Sequence, residues 1–140
     1  MKHWLRSLPR VPCSRSGYSA KSVDYCLGLV RSSAYDRYLC GLLFPNKQRN
    51  AFFAVEAFAI EMAQIRVQTQ GNQIASRMRF QWWREVLDAI FEQKIHPAKT
   101  THPVVECVSH AAQLQHVTKR WFERILEVRV IHCQLAYSRQ

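Results

Sequence analysis

Fifteen consecutive residues, Ala51 to Ile65, read AFFAVEAFAIEMAQI, and only Glu56, Glu61 and Gln64 break the run of apolar side chains. Wound at about 3.6 residues per turn, this segment is apolar on nearly every side. Such a helix has no face to give to water, so other helices must enclose it. The run is also shorter than the roughly 20 apolar residues of a membrane-crossing helix, and it carries two carboxylates. Any contact with a membrane is therefore peripheral. The expected fold is all-α, built around a central helix from Asn46 to Thr69.

The rest of the chain supplies the enclosing helices. Four glycines and five prolines in 140 residues leave few tight turns, which suits long helices with short connections. Val23, Cys26, Leu27 and Val30 recur at helical spacing in Ser22 to Ser32, with Ser22 as a candidate N-cap. Tyr35 to Phe44 follows and ends at Pro45. Gly71 and Asn72 stop the central helix. In Ile74 to Gln93 the expected inward stripe is Met78, Trp82, Val86, Ala89 and Ile90, widened by Trp83 and Leu87. His96 to Thr101 reads as a loop. Pro103 suits the first position of a helix that continues to Gln115. Thr118 is the expected cap of a last helix that turns Trp121, Ile125, Leu126 and Val128 inward.

The net charge of +10 is uneven. Residues 1–20 contain Lys2, Arg6, Arg10 and Arg15 and no acid; the first acid is Asp24. Lys2, Arg6 and Arg10 fall four residues apart, opposite Trp4, Leu5 and Leu8, as in a mitochondrial presequence. Residues 21–140 retain 16 basic against 10 acidic side chains, a balance of +6 that fits an ordinary basic surface. No arginine-rich run or Cys/His finger supports nucleic acid as a partner. Five cysteines, Cys13, Cys26, Cys40, Cys107 and Cys133, are odd in number and contain no Cys-x-x-Cys, so reduced thiols are expected rather than a disulfide framework.

Several constellations invite a chemical reading. Arg79, Trp82, Trp83 and Arg84 could form a stacking and phosphate platform, but tryptophans at this spacing more often pack a core. Glu85, Asp88 and Glu92 share one face, and Glu123 and Glu127 another; Lys119, Arg120 and Arg124 beside the second set point to solvated, salt-bridged faces. His96, His102, His110, His116 and His132 make no pair at ligand spacing, and no glycine-rich phosphate loop occurs. Glu56 and Glu61 need partners in an apolar helix, and Arg77, Arg79 and Arg84 on the next helix are the expected ones.

Taken in order, Tyr25-Cys-Leu-Gly-Leu-Val-Arg, Tyr38-Leu-Cys-Gly-Leu-Leu-Phe-Pro, Arg49, the buried helix, Arg79-Phe-Gln-Trp-Trp-Arg, His102-Pro-Val-Val and Thr118-Lys-Arg-Trp-Phe-Glu-Arg resemble the squalene/phytoene synthase family. The resemblance runs from about Tyr25 to Arg129. It implies an isoprenoid-synthase-like bundle whose central helix carries Asp-x-x-x-Asp for magnesium and a prenyl diphosphate. Here those two positions read Ile60 and Gln64, with Glu61 between them. A hard cation needs oxygen ligands on one face, and a hydrocarbon and a neutral amide do not replace two carboxylates. For Glu61 as a shifted ligand, the i+4 position is Ile65 and the i−4 position Ala57.

The resemblance therefore implies a non-enzymatic member with no catalytic residue, cofactor or metal, of the branch that assists assembly of mitochondrial respiratory complex I. Its partners would be complex I subunits or assembly intermediates, with peripheral contact at the matrix side of the inner membrane and no nucleic acid. The alternative is an enzyme or lipid-binding relative, a prenyl-diphosphate transferase. The expected organisation is a presequence at 1–20, the N-terminal half of the family's bundle at 21–129, and a divergent tail at 130–140. The family's second aspartate-rich helix would lie beyond residue 140, as in a truncated form, which predicts an exposed Phe and Ile face on the central helix.

A reporter fused to residues 1–30 is expected to enter mitochondria, and Arg6→Glu with Arg10→Glu to block entry. Fluorescence microscopy with cell fractionation checks both; a cytosolic reporter carrying the unmodified segment contradicts the presequence.

Overall fold

The computed structural model describes residues 19–92, 102–114 and 117–138. The expected presequence (apart from Ser19 and Ala20), Cys13, His96 and the expected loop at 96–101 fall outside them. Among the described residues six helices follow one another: α1 Ala20–Ser33, α2 Tyr35–Leu42, α3 Asn46–Gln68, α4 Gln73–Phe91, α5 Pro103–Leu114 and α6 Lys119–Tyr137. Among the described residues there is no strand. The all-α expectation holds.

α3 is the axis of the bundle and packs against each of the other helices. Ala51, Phe53, Ala54, Ala57, Phe58, Ile60, Met62 and Ile65 are all buried. Phe58 sits edge-on to Trp83 of α4 at 5.3 Å and to Phe122 of α6 at 5.2 Å between ring centroids. Each such aromatic pair adds about 0.5–1.5 kcal/mol beyond the area it buries. Gly41 of α2 lets that helix lie close to α3: a Cβ there would come within 2.9 Å of the Phe52 ring and closer still to Phe53. The expected bare face of α3 is not found. Its phenylalanines and isoleucines are covered or half-covered, and Val67, near its end, is its large exposed apolar side chain. Exposed apolar side chains gather instead on α2, α4 and α6.

The helix ends are closed by specific polar contacts. α3 stops in a Schellman turn, in which Gly71 N–H donates to Arg66 O and Gln70 N–H to Val67 O, each at 3.0 Å. Gln70 and Gly71 both take left-handed backbone, with φ of 51° and 75°. Asn72 then caps α4, its Oδ1 accepting from Ala75 N–H at 3.1 Å. The Arg49 guanidinium donates to Leu42 O at 2.9 Å and Phe44 O at 3.0 Å, placing a cation at the carbonyl end of α2. At the other end of the bundle the Glu106 carboxylate of α5 accepts from Ser19 N–H at 2.9 Å and from the Ser22 hydroxyl. That carboxylate faces the N-terminus of α1, where the helix dipole favours an anion. Ser22 is thus not the N-cap: Ser19 holds that position, and Ser22 is buried one turn into the helix.

Two inward stripes differ from expectation. On α4 the buried set is Ser76, Phe80, Trp83, Val86, Leu87 and Ile90, whereas Met78 is 69% and Trp82 42% exposed. On α6 Phe122, Leu126 and Cys133 face inward, and Trp121 and Val128 face out. Adjacent residues lie about 100° apart on a helix, so exchanging Trp82 for Trp83, or Trp121 for Phe122, rotates the helix by one position. Nor does residue 129 mark an end. α6 runs on to Tyr137, whose hydroxyl meets Ser76 Oγ at 3.0 Å, and Ser76 Oγ lies 2.7 Å from Thr69 Oγ1. This hydroxyl chain joins α6 to the α3–α4 turn, so residues 130–137 belong to the bundle.

Trp83→Ala is expected to cost about 3–5 kcal/mol, because it removes the ring against which Phe58 packs. Trp82→Ala is expected to cost less than half as much, since its ring is partly in water. Urea unfolding followed by circular dichroism measures both; equal losses would contradict this orientation of α4.

Candidate functional site

The middle of α3 brings Ile60, Glu61 and Gln64 to the positions where the resemblance places a metal motif. Ile60 is buried and offers no donor. Gln64 Oε1 accepts from Gln68 Nε2 at 3.5 Å, and Gln68 Oε1 accepts from Arg79 Nη2 at 3.0 Å. A neutral amide relay ending on an arginine of α4 therefore runs along this face. An arginine that near repels a cation. Magnesium asks for several oxygens and at least one carboxylate, and this face presents one amide oxygen already engaged. The donor set does not fit the ion.

Glu61 points elsewhere. It is 5% exposed, and its Oε1 accepts from the Tyr25 hydroxyl of α1 at 3.0 Å. Burial and the hydrogen bond to Glu61 both raise the Tyr25 phenol above its usual 10, so it stays a donor throughout the physiological range. His102, at the start of α5, lies close enough to Glu61 and Arg79 to feel both charges. Its ring meets Trp83 edge-on at 5.3 Å and Trp82 at 5.9 Å. Its Nδ1 is enclosed and has no hydrogen-bond partner among the described residues. Burial holds the imidazole below its ordinary 6.5, Glu61 opposes the shift, and Arg79 adds to it. Tyr25, Glu61, His102 and the two tryptophans thus form one polar and aromatic nest between α1, α3, α4 and α5.

The expected arginine partners of the two glutamates are not the ones found. Glu56 pairs with Arg37 of α2 at 2.7 Å, and Glu61 takes a phenol in place of a guanidinium. Arg79 instead serves Gln68. Nothing in the residue spacing marks Tyr25, Arg37 or His102, because each arrives from a different helix. The platform reading of Arg79, Trp82, Trp83 and Arg84 divides: Trp83 is core, whereas Trp82 and both arginines reach the surface. The acidic faces of α4 and α6 meet across a cleft of about 360 Å³ lined by Arg84, Asp88, Glu123 and Glu127 over Leu87 and Leu126. At its side Lys119 Nζ binds Asp88 at 2.7 Å and Glu123 at 3.3 Å, the salt-bridged surface expected for those residues. Cys26, Cys107 and Cys133 are buried free thiols, and Cys40 is exposed.

An all-helical bundle wrapped on one apolar helix, with a polar nest at its middle, defines the structural class. The family model for squalene/phytoene synthase matches residues 30–136, and the chain belongs to that family. The match reaches past residue 129, in agreement with the continuity of α6. Among curated relatives, a protein of Bos taurus named NADH dehydrogenase (ubiquinone) complex I, assembly factor 6 is 36% identical over 115 residues, covering 81% of this chain and 33% of its own length. Proteins of the same name from Rattus norvegicus and Homo sapiens are 33% and 34% identical, over 89% and 86% of this chain and 38% and 35% of their own. The chain therefore spans about a third of the length of the curated relatives it matches. No solved structure matches it.

The depressed His102 has a consequence for stability. The unfolded imidazole takes up a proton near 6.5, and the folded one resists it to lower pH. The stability tied to the neutral ring is therefore complete above about 6.5 and is lost as pH falls through the folded value. Thermal melts between about pH 7.5 and 5 are expected to show this loss, and His102→Gln to flatten it. An unchanged pH profile in that variant would remove His102 as the cause.

Proposed function

We propose that this chain acts in the assembly of mitochondrial respiratory complex I, by binding subunits or assembly intermediates and without catalysing a reaction. The observation that carries the reading is a combination. The chain aligns over four-fifths or more of its length with proteins named as complex I assembly factors, and its metal-motif positions hold Ile60 and Gln64. A family member that kept prenyl-diphosphate chemistry would need carboxylates there. What remains is a rigid helical body with polar and apolar surfaces for protein contact. The acid-free basic segment at 1–20 supports import into mitochondria. Among the described residues no helix is long and apolar enough to cross a membrane, which fits peripheral attachment at the matrix face of the inner membrane.

Loss of the encoding gene is expected to lower assembled complex I on native gels and leave the other respiratory complexes near normal. Re-expression of the gene product carrying Glu61→Gln is expected to restore assembly as well as the parent does. Glutamine keeps an oxygen for the Tyr25 hydroxyl and removes the acid, base and anionic-ligand capacity of the carboxylate. A Glu61→Gln product that is stable but fails to restore assembly would return the site to chemistry. Loss of the gene with complex I intact would defeat the assembly reading itself.

A further inference from the structure

The outer side of α4 is apolar where a surface helix is ordinarily polar. Ile74, Met78 and Trp82 follow at i, i+4 and i+8, on the side of the helix away from Phe80 and Leu87. Ile74 is 72% exposed, and Met78 and Trp82 are open to solvent beside it. Arg77 and Arg79, both exposed, project about 100° to either side of Met78. Residues 73–84 contain three arginines and no acid; the first carboxylate, Glu85, comes one turn after the stripe and accepts from Gln81 Nε2 at 3.1 Å.

We propose that the Ile74–Met78–Trp82 face of α4 lies on an anionic lipid surface, its apolar ridge among the acyl-chain ends and Arg77 and Arg79 at headgroup level. Three features select lipid. The ridge is flanked by cations on both sides, the arrangement of an interfacial helix whose long basic side chains reach up to the headgroups. Three part-exposed side chains present only a few hundred Å² of apolar surface, short of the roughly 800 Å² per partner of a stable protein interface. With Arg77 and Arg79 beside the ridge and Glu85 at its end, the patch is net basic and gains from anionic headgroups at each arginine, so a small apolar area suffices. The other exposed apolar stripes lack this charge pattern. Tyr35 and Leu39 on α2 and Leu43 just after it have Asp36 as well as Arg37 among them, and Trp121, Val128, Ile131 and Leu135 on α6 have Glu123 and Glu127 among Arg124 and Arg129, so acids interrupt both stripes within their length. The inference gives a surface to the peripheral membrane placement proposed above and rests on it.

Site-specific fluorescence tests it on the whole chain. Cys13→Ser and Cys40→Ser remove Cys13 and the exposed Cys40 thiol, and Met78→Cys then carries an environment-sensitive dye; a second protein carries the dye at Val128→Cys. Phosphatidylcholine vesicles with phosphatidylserine are expected to shift the Met78 dye to the blue, and vesicles of phosphatidylcholine alone are not. The Val128 dye is expected to stay unchanged. Because the basic segment at 1–20 attracts vesicles in every variant, the site-specific signal decides, not bulk sedimentation. Arg77→Gln with Arg79→Gln is expected to weaken the dye response at least tenfold in lipid concentration. These positions are exposed, and unchanged circular dichroism melts confirm folding; high salt on the unmodified arginine pair gives the same loss without substitution. An unshifted Met78 dye, an equal shift at Val128, or an undiminished response in the arginine variant overturns the proposal. So does a Met78 dye that responds to isolated complex I intermediates and not to vesicles, which assigns the face to protein. Respiratory subunits are absent from the vesicle measurement, so its failure leaves the assembly reading standing, and failure of gene rescue leaves a vesicle result standing.

Discussion

Everything in this bundle answers to the need to keep α3 dry. A 23-residue helix whose middle is apolar around its circumference cannot rest on a single neighbour. α1 and α5 cover it on one side, α4 and α6 on another, and α2 closes over its start. Phe58 is the centre of this arrangement, because Trp83 and Phe122 both meet it edge-on and so join α4 and α6 through α3. The small residues Ala54 and Ala57, both fully buried, let neighbouring helices approach between the phenylalanines. Tight interdigitation of this kind is what turns hydrophobic collapse into one defined packing.

Most polar groups inside such a core are partnered, and the partnerships formed tie distant segments together. The Tyr25 hydroxyl on Glu61 links α1 to α3. Glu106 links α5 to the start of α1, and the Thr69, Ser76 and Tyr137 hydroxyls link three helices at the far end. Lost partners at such sites cost more than the bonds contribute, since a stranded buried carboxylate or hydroxyl has no water to turn to. The polar set therefore fixes which helices meet, while the apolar set provides most of the driving force.

The same economy bears on what the family fold does here. Ile60 and Gln64, where the resemblance leads one to expect oxygen ligands for diphosphate chemistry, are both already committed, one to the core and the other to Gln68. Glu61, the nearby acid, is turned toward α1. The bundle thus keeps its architecture with the central residues spent on packing and internal hydrogen bonding. On its exterior, apolar side chains stand on α2, α4 and α6.

Much of the fold could be read in the amino-acid sequence because helix periodicity and end signals are local. The apolar run at 51–65, Pro103 at a first helical position and the Gly71–Asn72 stop placed α3, the start of α5 and the turn into α4 close to where they lie. That positions 60 and 64 hold Ile and Gln was equally legible, since it needs only residue identity. The orientation of α4 and α6 was not. Trp82 and Trp83, like Trp121 and Phe122, are neighbouring aromatics about 100° apart, and either member could satisfy a helical stripe. Only the position of Phe58 between the two helices selects Trp83 and Phe122 as the inner pair. The partners of Glu56 and Glu61 were hidden for a related reason. Charge complementarity favoured arginines on the next helix, but a side chain bonds to whatever the packing brings within about 3 Å. Packing brought Arg37 and Tyr25, from helices that local sequence could define but could not dock.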